Sequence, residues 1–276
     1  MRRMRKRKIR RRRFSRFFFA LFVLVIVGVG SCINRAESSE ESIALGAEVN
    51  RRENTDGVPV GLGRLLSFVE SPEQYPEELM ETLSKYPETL PFVLGYPGPE
   101  EKPAIKLSKE WERGKIPLLI QWDSRWGYEP YGDSMIGISG CGPTCLSMVV
   151  IGLTGRTEWH PAKMAAYAAD NGYLVQGVGT DWRLFSTGAE PFGLQVLRLT
   201  LNEYEIGGQL LDGHPVICSM KPGDFTYTGH FIVLTGMDEE GNVQVNDPNS
   251  RIKSRQTWRL GDIIKQVKSA WAYSKE

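Results

Sequence analysis

The sequence predicts an α+β domain in which helices pack against an antiparallel sheet. Pro143, a residue favoured in the first turn of a helix, precedes a largely apolar run at 144–153, and a second helix is predicted over Pro161–Asp170. Gly241-Asn242 predicts a tight hairpin between the last two of four later apolar runs. Because helices precede strands instead of alternating with them, the class is α+β. The predicted strands are Gln195–Leu199, Pro215–Met220, His230–Gly236 and Val243–Asn246.

The first 33 residues combine a basic head with a hydrophobic segment. Residues 1–16 hold 11 Lys or Arg and no acid, and no charge occurs from Phe17 to Ile33. This pattern is typical of a secretory signal or an N-terminal membrane anchor. The segment ends Val29-Gly30-Ser31-Cys32, which resembles a bacterial lipoprotein box with Cys32 as the lipid-bearing residue. Lipid anchoring and a retained helix both remain open, and either places the later residues outside the cytoplasm at the cell membrane.

The rest of the chain is acidic and divides by composition. Beyond residue 16 there are 23 basic and 33 acidic residues, a poor match for nucleic acid, whose phosphates require a basic face. Residues 34–60 are polar and predict a flexible linker. Residues 61–103 predict a helical lead-in, closed by three prolines and a glycine between 97 and 103. The main domain is therefore expected over 104–276.

The stretch SGCGPTCLSMVV at 139–150 places Cys141 and Cys145 four positions apart, which allows three interpretations. A zinc site needs a second ligand pair, which would have to come from His160, His214, Cys218 and His230, and this interpretation is not favoured. A disulfide across one helical turn would close a very short loop. After Cys32 there are three cysteines, so one stays unpaired within the chain. A reactive thiol beside a buried one is therefore favoured, and no metal or cofactor is expected.

Cys141 is the candidate nucleophile. It lies at the start of the predicted helix, where the positive end of the helix dipole stabilises a thiolate, whereas Cys145 lies among apolar residues. His230 begins one predicted strand and Asp247 ends its hairpin partner, so the carboxylate can orient the imidazole beside the thiol. His160 and His214 stand at a helix start and in a turn, and both are interpreted as structural or exposed.

Four motifs in order resemble the bacterial C39-like cysteine peptidases, relatives of the papain-fold domains that trim double-glycine leader peptides. They are Gln121, Gly140-Cys141-Gly142-Pro143-Thr144, Gly229-His230-Phe231 and Asn246-Asp247-Pro248. The likeness extends from about Ile116 to Tyr273 and implies a papain-like fold. It also implies that the side-chain amide of Gln121 joins the backbone N–H of Cys141 in an oxyanion hole. A polar residue at a domain edge is the alternative for Gln121.

Two departures from the leader-trimming members are visible. Gly140 stands where those members typically have an acidic residue, and the 20 positions from Gln121 to Cys141 make a longer, aromatic-rich loop. That loop, with Trp126, is expected either to line a peptide groove or to cover the sheet. Trp182 is expected either in the substrate wall or packed within its own loop. Gly140 and Gly142, on either side of Cys141, are expected to allow unusual backbone angles and close approach of a substrate. Gly229, just before His230, is expected to contact the substrate.

The sequence thus predicts an extracytoplasmic thiol hydrolase, a cysteine peptidase acting on peptides, isopeptides or cell-wall cross-bridges. Cys141, His230, Asp247 and Gln121 would carry the reaction, with Trp126, Gly140, Gly229 and Trp182 contacting the substrate. Two alternatives remain: a surface binding module that has lost turnover, and an acyltransferase that uses the same residues.

Overall fold

The computed structural model describes residues 60–99, 104–107, 109–177 and 179–275. The chain forms two compact units, Met1–Gln74 and Tyr75–Glu276. The described part of the first unit consists of helix α1 (Val60–Glu70) and a 3₁₀ turn at Pro72–Gln74. The predicted basic head, hydrophobic segment and Cys32, with nearly all of the predicted linker, lie outside the described residues. Within the described ranges, no helix has both the length and the hydrophobicity that crossing a membrane requires.

The second unit begins with short helical elements, α2 (Glu77–Lys85), a 3₁₀ turn at Pro87–Thr89 and α3 (Leu90–Leu94). Leu79 and Leu83, one turn apart on α2, are both buried. The contacts therefore group the described residues from Tyr75 onward with the sheet, whereas composition placed a boundary near residue 103. The composition-based boundaries stay a prediction.

A helical layer follows, introduced by a small hairpin. Its elements are β1 (Pro130–Tyr131), β2 (Ser134–Met135), α4 (Ile136–Ser139), α5 (Cys141–Thr154) and α6 (Pro161–Asp170). Helix α5 is buried from Gly142 to Ile151, as its apolar sequence predicts. It ends at Gly155, whose φ of 73° is the left-handed conformation that glycine adopts easily. Helix α6 has the predicted bounds, with Pro161 in its first turn.

The remaining elements form a second hairpin, connecting turns and the main sheet. The hairpin is β3 (Leu174–Val175) with β4 (Gly179–Thr180), followed by 3₁₀ turns at Trp182–Phe185 and Glu190–Phe192. The others are β5 (Leu194–Arg198), α7 (Glu203–Leu211), β6 (Val216–Met220), β7 (His230–Met237), β8 (Asn242–Asn246), α8 (Arg251–Ser254), β9 (Thr257–Arg259), α9 (Leu260–Ile264) and β10 (Val267–Lys275).

The main sheet is antiparallel throughout, with the strand order β5-β10-β6-β7-β8-β9. All four predicted strands are present, and Gly241, with φ of 78°, lies in the predicted turn between β7 and β8. Among the elements that the sequence prediction missed are β9, α7 and the internal strand β10. In β10, Lys268 and Ser269 interrupt the apolar pattern near the start of the strand.

The sheet is buried on both faces. Alternate residues such as Ile217 and Val233 pack under α5, while Val216 and Cys218 pack under α7. Burial on both faces explains why the strands of the sequence look like continuous apolar runs. It also fixes α5 against the sheet, where the helix packs on β7 and β10.

Candidate active site

Cys141 is the first residue of α5. Its thiol is free and partly exposed. As the first helical residue it has a backbone N–H with no partner inside the helix, and it lies at the positive end of the helix dipole. A sulfur and an N–H donor that is not used within α5 are thus placed together.

The two glycines that flank Cys141 serve packing. Neither Gly140 nor Gly142 has a positive φ, so the expectation of unusual backbone angles at these two positions is wrong. A Cβ on Gly140 would lie 2.6 Å from the Ile136 Cγ2, and one on Gly142 would lie 2.5 Å from the Thr180 Oγ1. Both positions need a residue without a side chain because α4 and β4 press against the start of α5.

His230 and Asp247 meet as the hairpin prediction requires. His230 begins β7 and is 8% exposed, and Asp247 directly follows β8 and is fully buried. The His230 Nε2 lies 2.7 Å from the Asp247 Oδ1. The same oxygen accepts the N–H of Asn249 at 2.8 Å, and the Asp247 N–H donates to the Ser254 Oγ at 2.9 Å. The carboxylate is therefore held in place on both its side chain and its backbone.

The side chain of Cys141 is the second group that acts on the imidazole. Burial lowers the pKa of His230, but the Asp247 carboxylate and, after it, Cys141 outweigh that effect and raise the pKa to about 10. Since the Nε2 faces Asp247, the Nδ1 is the ring nitrogen left for the sulfur. At neutral pH the ring carries its proton, which is the state that stabilises a neighbouring thiolate.

Gln121 lies next to these residues, and its side-chain amide is bound to backbone carbonyls. Its Nε2 donates to the carbonyls of Gly137 at 3.0 Å and Ile138 at 3.2 Å, just before Cys141. Its backbone N–H donates to the Pro248 carbonyl at 2.8 Å. Gln121 thus joins α4 to the loop after Asp247. Its predicted role as an oxyanion donor stays a prediction.

The other two cysteines are far less suited to chemistry. Cys145 and Cys218 are free and fully buried. Burial raises the pKa of Cys145 well above its ordinary value and that of Cys218 to about 12. Both thiols therefore stay protonated and act as small apolar side chains. Among the described residues, no cluster of three or more His, Cys, Asp or Glu side chains could hold a metal ion.

An open cleft of about 510 Å³ lies over Cys141 and His230. The β1–β2 and β3–β4 hairpins form one wall, and the end of β6 with the residues before β7 forms the other. The cleft is lined by Asp133, Thr180, Trp182, Ser219, Gly229 and Lys268, among others. It therefore offers an aromatic surface and charges of both signs.

Two of the four predicted substrate residues lie on this cleft and two do not. Gly229 lines it, as does Trp182, which is 40% exposed and packs edge-on against Trp271 with ring centroids 5.6 Å apart. Trp126 does not line it: the ring is 1% exposed, and its Nε1 donates to the Ile120 carbonyl at 2.8 Å. Trp126 is a core residue, so its prediction as a substrate contact is wrong. Gly140 is buried behind Cys141.

Sequence reasoning missed the residues that join the two hairpins of the cleft. The hydroxyls of Tyr131 and Thr180 are 2.8 Å apart and buried, which ties β1 to β4 beside Cys141. Burial raises the pKa of Tyr131 to about 12. Only Gly142 gave a signal, since its missing side chain leaves room for Thr180.

The remaining histidines are structural. The His160 Nδ1 accepts the N–H of Lys163 at 3.3 Å at the start of α6. The His214 Nδ1 lies 3.0 Å from the Gln209 Oε1. Neither lines the cleft, in agreement with the sequence interpretation.

A thiol at a helix N-terminus that faces a His–Asp pair on an antiparallel sheet is the arrangement of papain-like cysteine peptidases. The comparison with family models gives a more specific result. The Peptidase_C39 like family matches residues 114–276, and the chain belongs to this family. The predicted α+β, papain-like fold is thereby confirmed.

Two further comparisons give less information about this chain. The peptidase domain of Streptococcus ComA, described as a bi-functional ABC transporter involved in a quorum sensing pathway, is similar with 14% sequence identity and a TM-score of 0.34. That alignment covers 50% of this chain and 93% of the other. No curated protein matches the sequence.

Proposed function

We propose that the protein is an extracytoplasmic cysteine peptidase in which Cys141, His230 and Asp247 form the catalytic triad. One observation carries the proposal: the His230 Nε2 lies 2.7 Å from the Asp247 Oδ1, and His230 and Cys141 line the same open cleft. Membership of the C39-like family supports the same reaction class.

The reaction follows from the positions of these groups. The Cys141 thiolate attacks the substrate carbonyl carbon, and protonated His230 then gives its proton to the leaving amine. A water molecule next attacks the thioester, with neutral His230 taking a proton from it, and the acid product leaves with the thiolate restored. Asp247 keeps the ring oriented throughout both steps.

The negative charge that forms on the carbonyl oxygen needs donors. The Cys141 N–H, without a partner inside the helix, is the first donor. Gln121 is proposed as the second. Its Nε2 must exchange the Gly137 and Ile138 carbonyls for the oxyanion, a rotation of a side chain that already lies beside them.

Substrate and location complete the proposal. We propose peptides, isopeptides or cell-wall cross-bridges as substrates, since the cleft is open and combines Trp182 with Asp133 and Lys268. The basic head and the apolar segment from Phe17 to Ile33 support anchoring at the cell membrane, with Cys32 as the proposed lipid site. Cell fractionation, with protease added to intact cells, tests the location, and Cys32→Ala tests the lipid.

The triad is tested with a thiol-reactive probe and a screen of peptide and cell-wall substrates. We expect rapid labelling of Cys141 and turnover by the wild type, both lost in Cys141→Ala and strongly reduced in His230→Ala. His214→Ala is the matched control and should behave as the wild type, because His214 bonds to Gln209 and does not line the cleft.

Each alternative has its own result. A wild-type protein whose Cys141 is no more reactive than a free thiol, and which cleaves nothing, would be a binding module. Incorporation of an added amine into the product would identify acyl transfer in place of hydrolysis.

A further inference from the structure

The described residues between Tyr75 and Pro99 precede the family-matched part of the chain, 114–276, yet they contact the segments around the triad. The Ser134 Oγ donates to the Glu78 Oε2 at 2.8 Å, on the hairpin that walls the cleft. The Tyr128 hydroxyl donates to the Phe92 carbonyl at 2.7 Å, and the two rings stack with centroids 4.4 Å apart. This segment is therefore built into the unit that carries the site.

Glu88 makes the most directed of these contacts. Its Oε1 accepts a hydrogen bond from the Ser250 Oγ. Its Oε2 accepts the N–H of Arg251 at 2.8 Å and that of Ile252 at 3.4 Å. A carboxylate at these N–H groups satisfies donors that have no partner within helix α8.

The residues that Glu88 holds are those that hold Asp247. The Ser250 N–H donates to the Asp247 carbonyl at 3.1 Å, and Ser250 is 2% exposed. The Ser254 Oγ donates to the Ser250 carbonyl at 2.7 Å and accepts the Asp247 N–H at 2.9 Å. A displaced Ser250 therefore disturbs both backbone hydrogen bonds of Asp247, the one at its carbonyl and the one at its N–H.

A second contact from the same segment leads to His230. The Tyr86 hydroxyl faces Thr226, and burial raises the pKa of Tyr86. The Thr226 Oγ1 donates to the Gly229 carbonyl at 3.1 Å, immediately before His230. Tyr86 and Glu88 thus approach the two loops that present the imidazole and the carboxylate.

We propose that Glu88 is a positioning residue of the active site, which acts through Ser250 to fix the Asp247 carboxylate against His230. The catalytic consequence rests on the proposed function, whereas the structural contact does not. In this chain the site accordingly depends on residues that lie before the C39-like part.

The test compares Glu88→Ala with Glu81→Ala by NMR titration of the His230 ring and by steady-state kinetics. Glu81 is the matched control, since this nearby exposed carboxylate pairs with Lys85 at 3.2 Å, away from Ser250. Asp247 and Cys141 are the charged or titratable groups acting on His230, so a displaced Asp247 lowers the pKa of His230. We expect this decrease in Glu88→Ala and a wild-type value in Glu81→Ala.

Kinetics supply the second measurement. We expect kcat to fall by up to about a hundredfold in Glu88→Ala with little change in KM, because misplacing a catalytic group slows chemistry more than binding. Glu88→Gln, which keeps the size and one acceptor oxygen, should show a smaller decrease in both kcat and the pKa of His230. If Glu88→Ala does not fold, the glutamine variant alone tests the positioning role.

The outcomes separate the two proposals. A wild-type pKa of His230 in folded Glu88→Ala overturns the positioning role, as does a wild-type pKa in Glu88→Gln when the alanine variant does not fold. A lowered pKa of His230 in a protein that cleaves nothing even as wild type supports the positioning contact and refutes the peptidase.

Discussion

The first and second turns of α5 carry the same functional group in opposite settings. In the first turn, 141–144, Cys141 is partly exposed beside His230 and the cleft. In the second turn, 145–148, Cys145 is fully buried, and burial raises the pKa of its thiol well above the usual range. The same side chain, one helical turn further along, thus changes from a candidate nucleophile into a packing residue. Position in the fold, more than residue type, decides the chemistry.

The largest expected effect tests this contrast directly. Cys141→Ala should lower kcat by on the order of 10⁶-fold, as loss of a nucleophile does in hydrolases of this kind. Cys145→Ala should leave kcat near the wild-type value and lower the free energy of unfolding by roughly 0.5–3 kcal/mol. Peptide-cleavage assays and urea titrations measure the two effects. Equal loss of activity in both folded variants would refute the assignment of Cys141 as nucleophile and Cys145 as a packing residue.

Asp247→Asn tests whether the activity of Cys141, in the first turn of α5, depends on the Asp247 carboxylate. An amide cannot hold the protonated ring as the carboxylate does, so kcat should fall by roughly 10⁴-fold. The matched control is Asp262→Asn, an exposed carboxylate paired with Lys265 at 2.8 Å, which should keep wild-type kcat. Asp247→Asn with wild-type kcat would show that His230 acts alone.

The pH dependence of stability sharpens the comparison further. The folded-state pKa of His230 is raised from 6.5 to about 10, chiefly by Asp247, which outweighs burial. The stabilisation from this pair is therefore full below pH 6.5 and is lost as pH rises through 10. Urea unfolding from pH 6 to 10 should show a declining free energy of unfolding. The decline should be much shallower in Asp247→Asn, and equal slopes would contradict this assignment.

The smallest expected effect concerns how the first turn is packed. Gly142→Ala would place a Cβ 2.5 Å from the Thr180 Oγ1 and should destabilise the protein by roughly 1–3 kcal/mol. Gly208 in α7 has nothing within 4 Å of such a Cβ, so Gly208→Ala should stabilise by about 0.4–1 kcal/mol. Thermal unfolding measures both. A Gly142→Ala variant as stable as the wild type would show that β4 moves easily to make room for the added methyl group.

Local patterns were enough to find the candidate triad. Cys141 was marked by its place before Pro143, and His230 and Asp247 by their places on two strands joined at Gly241. Each of these signals lies within a few residues of the group it identifies. Helix starts and hairpins are determined by residues that are close in sequence, so short sequence patterns predict them.

Contacts between distant segments were not visible in the same way. Trp126 looked like a groove residue because it is aromatic in a glycine-rich loop, but packing turns its ring into the core. Glu88 lies 162 residues before Ser250, and no sequence pattern relates the two. Such pairings arise only when the whole unit folds.

Strand β10 carries a consequence for synthesis of the protein. It lies between β5 and β6, although it is made after every other strand. Until Val267–Lys275 leaves the ribosome, β5 and β6 lack the neighbour that joins them. The surface on which α5 packs includes β10, so it is complete only once translation has passed this strand.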